Sequence, residues 1–148
     1  MATTSIAIPH EDRKEVAAQG WVVLLGRLLF ALIFIMSGSN HFAKQTIAYA
    51  VSQGVPLASL AVPFSGLIAI GGGLSSLIAY RARIGAWLVV LFLVPVTFMM
   101  HNFWAVADPM MKQMQMITFF KNVSMIGAAP FISQFGADPF SLDARRGR

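Results

Sequence analysis

The sequence predicts an all-α fold: an integral membrane four-transmembrane-helix bundle with a short amphipathic surface helix between helices 1 and 2. Three observations predict it. Of 148 residues, 57% are hydrophobic and only 11% charged, whereas an ordinary soluble domain carries about a quarter charged residues. The apolar residues, roughly 84 of them, would fill four helices at about 20 residues per bilayer crossing. They also fall into four runs, separated by breaks that carry Gly54, Pro56, Arg81, Arg83 and Pro109. Cysteine is absent, which removes disulfides, thiolate-ligated zinc or iron–sulfur clusters and a thiolate nucleophile.

Residues 1–20 are polar and contain Glu11, Asp12, Arg13, Lys14 and Glu15, with Pro9 just before them opening a short turn or helix start, and the segment reads as a cytosolic arm. The apolar run that follows is too long for a signal-peptide core and is not followed by a small-residue cleavage site. Trp21–Ser39 forms the first span, interrupted only by Arg27, with Trp21 suited to the interface. Between Asn40 and Val55, the residues Ile47, Tyr49, Ala50 and Val51 make the short amphipathic helix, stopped by Gly54 and Pro56.

Pro56–Tyr80 carries no formal charge and many small residues. In lipid these mark faces where backbones approach closely, and helical spacing puts Gly66, Ala69, Gly73 and Ser76 on one such face. A phosphate-binding glycine loop would need a lysine and a preceding strand, and both are missing. After the basic connection Tyr80–Arg83, the third span runs from Ile84 to Met100 with Pro95 as a kink. A polar and aromatic loop, His101–Lys112, leads to the fourth run, Gln113–Ala137, whose single charge is Lys121. The expected organisation is therefore an arm over 1–20, a membrane domain over 21–137 and a basic cytosolic tail over 138–148.

Arg13, Lys14, Arg81, Arg83, Arg145, Arg146 and Arg148 lie on one side of a four-span chain, with Lys44 and Lys112 on the other. The positive-inside rule puts both termini in the cytoplasm of a bacterial inner membrane. Basic residues scattered around apolar runs form no stripe for nucleic acid.

Two cations fall inside the spans, and no Asp or Glu does. A charge in a span costs several kcal/mol unless it snorkels, pairs or faces a polar cavity. Arg27 lies about 9 Å along a helix from Trp21, within reach of the interface by snorkelling. Lys121 lies deeper, about 12 Å or more inside, and has Gln115, Thr118, Asn122 and Ser124 nearby. That group suits a polar clamp between helices, an oxygen-rich ligand or an anionic lipid headgroup. His41 and His101 close the first and third spans on the same side, next to Asn40 and Asn102, and Arg27, Ala31, Phe34, Gly38 and His41 share one helix face. Neutral imidazoles there suit hydrogen bonds to a headgroup, a quinone carbonyl or loop backbone. Without a neighbouring carboxylate, a two-histidine metal or haem site is poorly supplied. Seven of nine methionines lie between Met99 and Met125, a pattern of adaptable apolar packing more than of a copper(I) site.

In order along the chain, the segment Gly26–Gly38, the connection Gln53-Gly54-Val55-Pro56, the run Gly71-Gly72-Gly73, His101-Asn102-Phe103-Trp104 and Gln115 through Lys121-Asn122 resemble the DoxX family of small bacterial membrane proteins. The resemblance implies a four-helix bundle and a link to quinone-coupled oxidation. Family members often carry a glutamate before the glycines of the second helix, where this chain has Ala69. The expected function is a non-catalytic membrane subunit that binds partner helices, lipid or quinone within a larger complex. The alternative is a component of a quinone-linked oxidoreductase in which Arg27, His41, His101, Asn102, Gln115, Lys121 and Asn122 orient quinone. No catalytic residue and no metal ligand is assigned. A small-solute transporter is disfavoured, because no inverted repeat supplies alternating access.

Overall fold

Backbone amides have no water to bond in hydrocarbon, so apolar runs of this length are restricted to helices, whose hydrogen bonds close within each segment. The computed structural model describes residues 10–135 and contains, among them, helices and no strand. The helices are α1 (His10–Asn40), α2 (Lys44–Ser52), α3 (Ala58–Ile78), α4 (Ala82–Met100) and α5 (Pro109–Phe135), with a single 3-10 turn at Phe103–Ala105 before α5. Three stretches are long and apolar enough to cross a bilayer: Ala18–Asn40, Ala58–Ile78 and Ala82–Ala105. α1 begins at His10, directly after Pro9, and runs unbroken into the first apolar run. Residues 1–9 of the arm and the whole basic tail lie outside the described residues.

α1 packs along α3, α3 along α4 and α4 along α5, while α2 lies against α3. The α1–α3 contact follows from glycine. A Cβ on Gly38 would sit 2.7 Å from the Gly66 carbonyl oxygen, and a Cβ on Gly66 would sit 2.7 Å from the Gly38 carbonyl oxygen. The two backbones therefore touch, and neither position has room for a methyl group. One and two turns further along α3, Ala69 is fully buried and Gly73 lies against the Ala31 carbonyl and Phe34. Gly72 faces the other way, onto Gly85 and Val89 of α4. The expected small-residue face of α3 is present, and a second one serves α4.

Side chains of Phe34, Ala69, Ala86, Val89, Phe92, Leu93 and Ala129 fill the core between these helices. Large apolar side chains point outward all round, among them Leu29, Leu32 and Met36 on α1, Leu60, Phe64 and Leu67 on α3, and Trp87, Leu91 and Phe98 on α4. Such a surface in water would be one continuous sticky patch; in lipid it is ordinary.

The connections are built locally. α2 ends as expected at Gly54, whose φ of +74° suits glycine. Between α3 and α4, Ala79 and Arg81 adopt left-handed backbone, and the Ser75 hydroxyl donates to the Tyr80 carbonyl at 2.7 Å to hold the turn. Asp108 accepts the Met111 N–H at 2.8 Å and so caps the start of α5. α5 begins four residues earlier than the expected Gln113 because of this cap and Pro109 in the first helical position. Pro95 lies within α4, which continues through it. An aromatic cluster of Phe98, Phe103, Trp104, Phe119 and Phe120, with ring centroids 5.2–6.2 Å apart, fastens the 3-10 turn to α5.

Gly66→Ala is expected to lower the unfolding free energy in mixed micelles by about 1–3 kcal/mol through overpacking against α1. Gly71→Ala, at a position with nothing within 4 Å of the added methyl, is expected to be neutral or to stabilise by up to about 1 kcal/mol through helix propensity. Equal effects of the two substitutions would contradict the α1–α3 contact.

Candidate functional site

The α1 face predicted from spacing does point inward. Arg27 is 3% exposed, and Ala31, Phe34 and Gly38 are buried above it, with His41 half-buried at the end. Arg27 is therefore held inside the bundle and does not snorkel along an exposed face.

The two histidines end neighbouring spans but serve different cavities. The His41 ring donates from Nδ1 to the Ser37 carbonyl at 2.7 Å and packs edge-on against Phe92, centroids 5.4 Å apart. It lines a cavity of about 180 Å³ beneath α2, whose walls are mainly apolar: Ala50, Val55, Val62, Pro95, Val96 and Met100. His101 instead donates from Nδ1 to Gln115 Oε1 at 2.7 Å, and Gln115 Nε2 donates to the Tyr49 hydroxyl at 3.1 Å. This relay ties the end of α4 to α5 and to the surface helix α2. The amide of Gln115 turns its donor to Tyr49 and its oxygen to His101, and because that oxygen can only accept, Nδ1 is the donor of this bond.

His101 borders a second, smaller cavity of about 80 Å³ between α1, α4 and α5. Its polar lining is Ser37, His101, Lys121 and Asn122, and its apolar wall includes Phe34, Phe92 and Met125. Asn122 is 4% exposed, and its side chain hydrogen-bonds to no partner among the described residues. Lys121 sits at the rim, exposed. It is thus no clamp buried between helices of this chain. Thr118 and Ser124, its polar neighbours in sequence, return their hydroxyls to the α5 carbonyls of Met114 and Phe120 at 3.0 Å and leave the cavity to Lys121 and Asn122.

Of the candidate residues, the structure brings His101, Lys121 and Asn122 to one cavity, with Gln115 orienting His101. Arg27, His41 and Asn102 line other places; Asn102 only precedes the 3-10 turn. Ser37 and Tyr49 were not singled out by sequence. Tyr49 was read for its apolar ring alone, and Ser37 carries no signal beyond lying four residues before His41. Among the described residues no group of three or more His, Asp or Glu side chains is placed to hold a metal ion.

Gln115→Leu removes both hydrogen bonds of the relay and is expected to cost about 1–3 kcal/mol of unfolding free energy, and Tyr49→Phe about 0.5–1.5 kcal/mol. Their effects are expected to be non-additive, since both remove the Tyr49–Gln115 bond. Additivity in a double-mutant cycle would contradict the relay.

Comparison with known proteins agrees with this frame. The DoxX family model matches residues 22–102, which takes in most of the first apolar run and all of α2, α3 and α4. Inner membrane protein YphA of Escherichia coli (strain K12) is 28% identical over 134 residues, 87% of this chain and 93% of that protein. No solved structure matches the chain significantly. With a family match over more than half of its length, laid on three helices that are long and apolar enough to cross a bilayer, the chain belongs to the DoxX family and is a membrane protein.

Proposed function

We propose that this chain is a non-catalytic subunit of the bacterial inner membrane that crosses the bilayer four times and holds a membrane amphiphile, lipid or quinone, or a partner helix, against α5. Under this reading residues 1–20 and 138–148 flank a membrane domain over 21–137, and both termini face the cytoplasm. α5 is the fourth span: its 27 residues reach about 40 Å at 1.5 Å per residue, and it packs along α4 with the Lys121–Asn122 pair turned to the cavity.

The observation that carries the reading is that cavity. Its polar side chains lie within a bundle whose outer surface is apolar, and its rim holds an exposed lysine on a helix without acidic residues. A polar group left facing hydrocarbon costs several kcal/mol, so an oxygen-bearing occupant stabilises the site. The alternative, a component that orients quinone for an oxidoreductase, is favoured by one feature: His101 lines the cavity while its Nδ1 is held by Gln115, which leaves its second ring nitrogen for a quinone oxygen.

Gentle extraction followed by native mass spectrometry is expected to find the chain with a retained amphiphile or with other membrane subunits. Recovery as a bare monomer that takes up neither lipid nor quinone would overturn the proposal. Topology is tested separately. The cysteine-free chain accepts single cysteines at Ser52, Ala82 and Ala107, and an impermeant thiol reagent is expected to label the first and third from outside intact cells. Labelling at Ala82 would reverse the orientation.

A further inference from the structure

Lys121 projects from the middle of α5, and no carboxylate stands in the described spans to meet it; the acid nearest in sequence, Asp108, is engaged in capping α5 thirteen residues away along the chain. The cavity it borders is lined by three further hydrogen-bonding side chains, Ser37, His101 and Asn122. Asn122 is only 4% exposed, lines the same space and has no side-chain partner among the described residues, and Ser37 lines it from α1. An ammonium and an amide N–H₂ beside a hydroxyl complement an oxyanion far better than a neutral carbonyl, which has only two lone pairs and no charge to offset the lysine. The remaining wall, Phe34, Phe92, Leu93, Val96 and Met125, is apolar and suits the hydrocarbon next to such a head.

We propose that the α1–α4–α5 cavity binds the oxyanion head of an acidic membrane amphiphile, which supplies the counter-charge of Lys121 and fills the hydrogen-bonding capacity of Asn122. This rests on the reading of the chain as an amphiphile-binding membrane protein and names the class. The oxyanion is either the phosphodiester of an acidic phospholipid or the carboxylate of a free fatty acid. In both, one oxygen accepts from Lys121 Nζ and another from Asn122 Nδ2, and charge-assisted bonds of this kind are strongest where water is excluded.

The test uses the full chain reconstituted in nanodiscs of equimolar phosphatidylglycerol and phosphatidylcholine, with lipid retention read by native mass spectrometry. Retention of phosphatidylglycerol over phosphatidylcholine by about tenfold is expected, the scale of one charge-assisted hydrogen bond. Lys121→Gln and Asn122→Leu are each expected to abolish most of that preference, Lys121→Arg to keep it, and Lys112→Gln, outside the cavity, to leave it unchanged. A parallel arm with added oleate identifies the carboxylate as the source if oleate displaces the phospholipid. Equal retention of the two phospholipids by the parent protein, with no retention of oleate, would overturn the proposal without need of any variant. So would an undiminished preference in Lys121→Gln. If a neutral quinone is retained instead and is lost in Asn122→Leu, the proposed amphiphile-binding function stands and the anionic class fails.

Discussion

The contact on which the rest of the molecule depends is the backbone-to-backbone approach of α1 and α3 at Gly38 and Gly66, where each carbonyl oxygen occupies the space a side chain would need. Lipid gives little hydrophobic drive to bring helices together, so close packing and van der Waals contact must supply it. Glycines supply the closeness here. With α1 fixed against one side of α3 and α4 against the other through Gly72 and Gly85, Phe34 of α1 comes within edge-on range of Phe92 of α4, centroids 6.4 Å apart. That aromatic pair forms one wall of the polar cavity. The cavity is therefore a consequence of how the small residues set the spacing of the spans.

Much of this is legible in the residues themselves. The period of Gly66, Ala69, Gly73 and Ser76 gives the buried face of α3, and the spacing of Arg27, Ala31, Phe34, Gly38 and His41 gives the inward face of α1, because both need only helical geometry. Gly54 after an amphipathic stretch gives the end of α2. What needs three dimensions is which helix faces which. His41 and His101 look like a pair in sequence because each closes a span beside an asparagine, yet they line different cavities, with Val96 of α4 common to both walls. The Tyr49–Gln115 bond joins residues 66 apart in the chain and has no local signature. Pro9 marks the helix start at His10, but that this helix continues without a break into the first apolar run has no local signature.

The two cations that the sequence sets within apolar runs resolve differently. Arg27 is taken into the bundle interior, where a planar guanidinium with five donors has many ways to be satisfied. Lys121 stays at a rim. At Ala69, the position where the family resemblance leads one to look for a glutamate, the side chain is fully buried in the apolar core. The chain thus has a methyl group at that position, while Lys121 and Asn122 lie on α5, beyond the segment that the family match covers.

α1 and α5 flank one cavity within a single chain. Ile33 and Met125 line that cavity from the two helices and pack against the same core. In native membranes, the variant Ile33→Cys with Met125→Cys, in an otherwise cysteine-free background, is predicted to be joined within one chain by a short bifunctional thiol reagent, detected as a single cross-linked peptide pair at monomer mass. Absence of that cross-link while both cysteines react singly, or cross-linking only between chains, would contradict the arrangement.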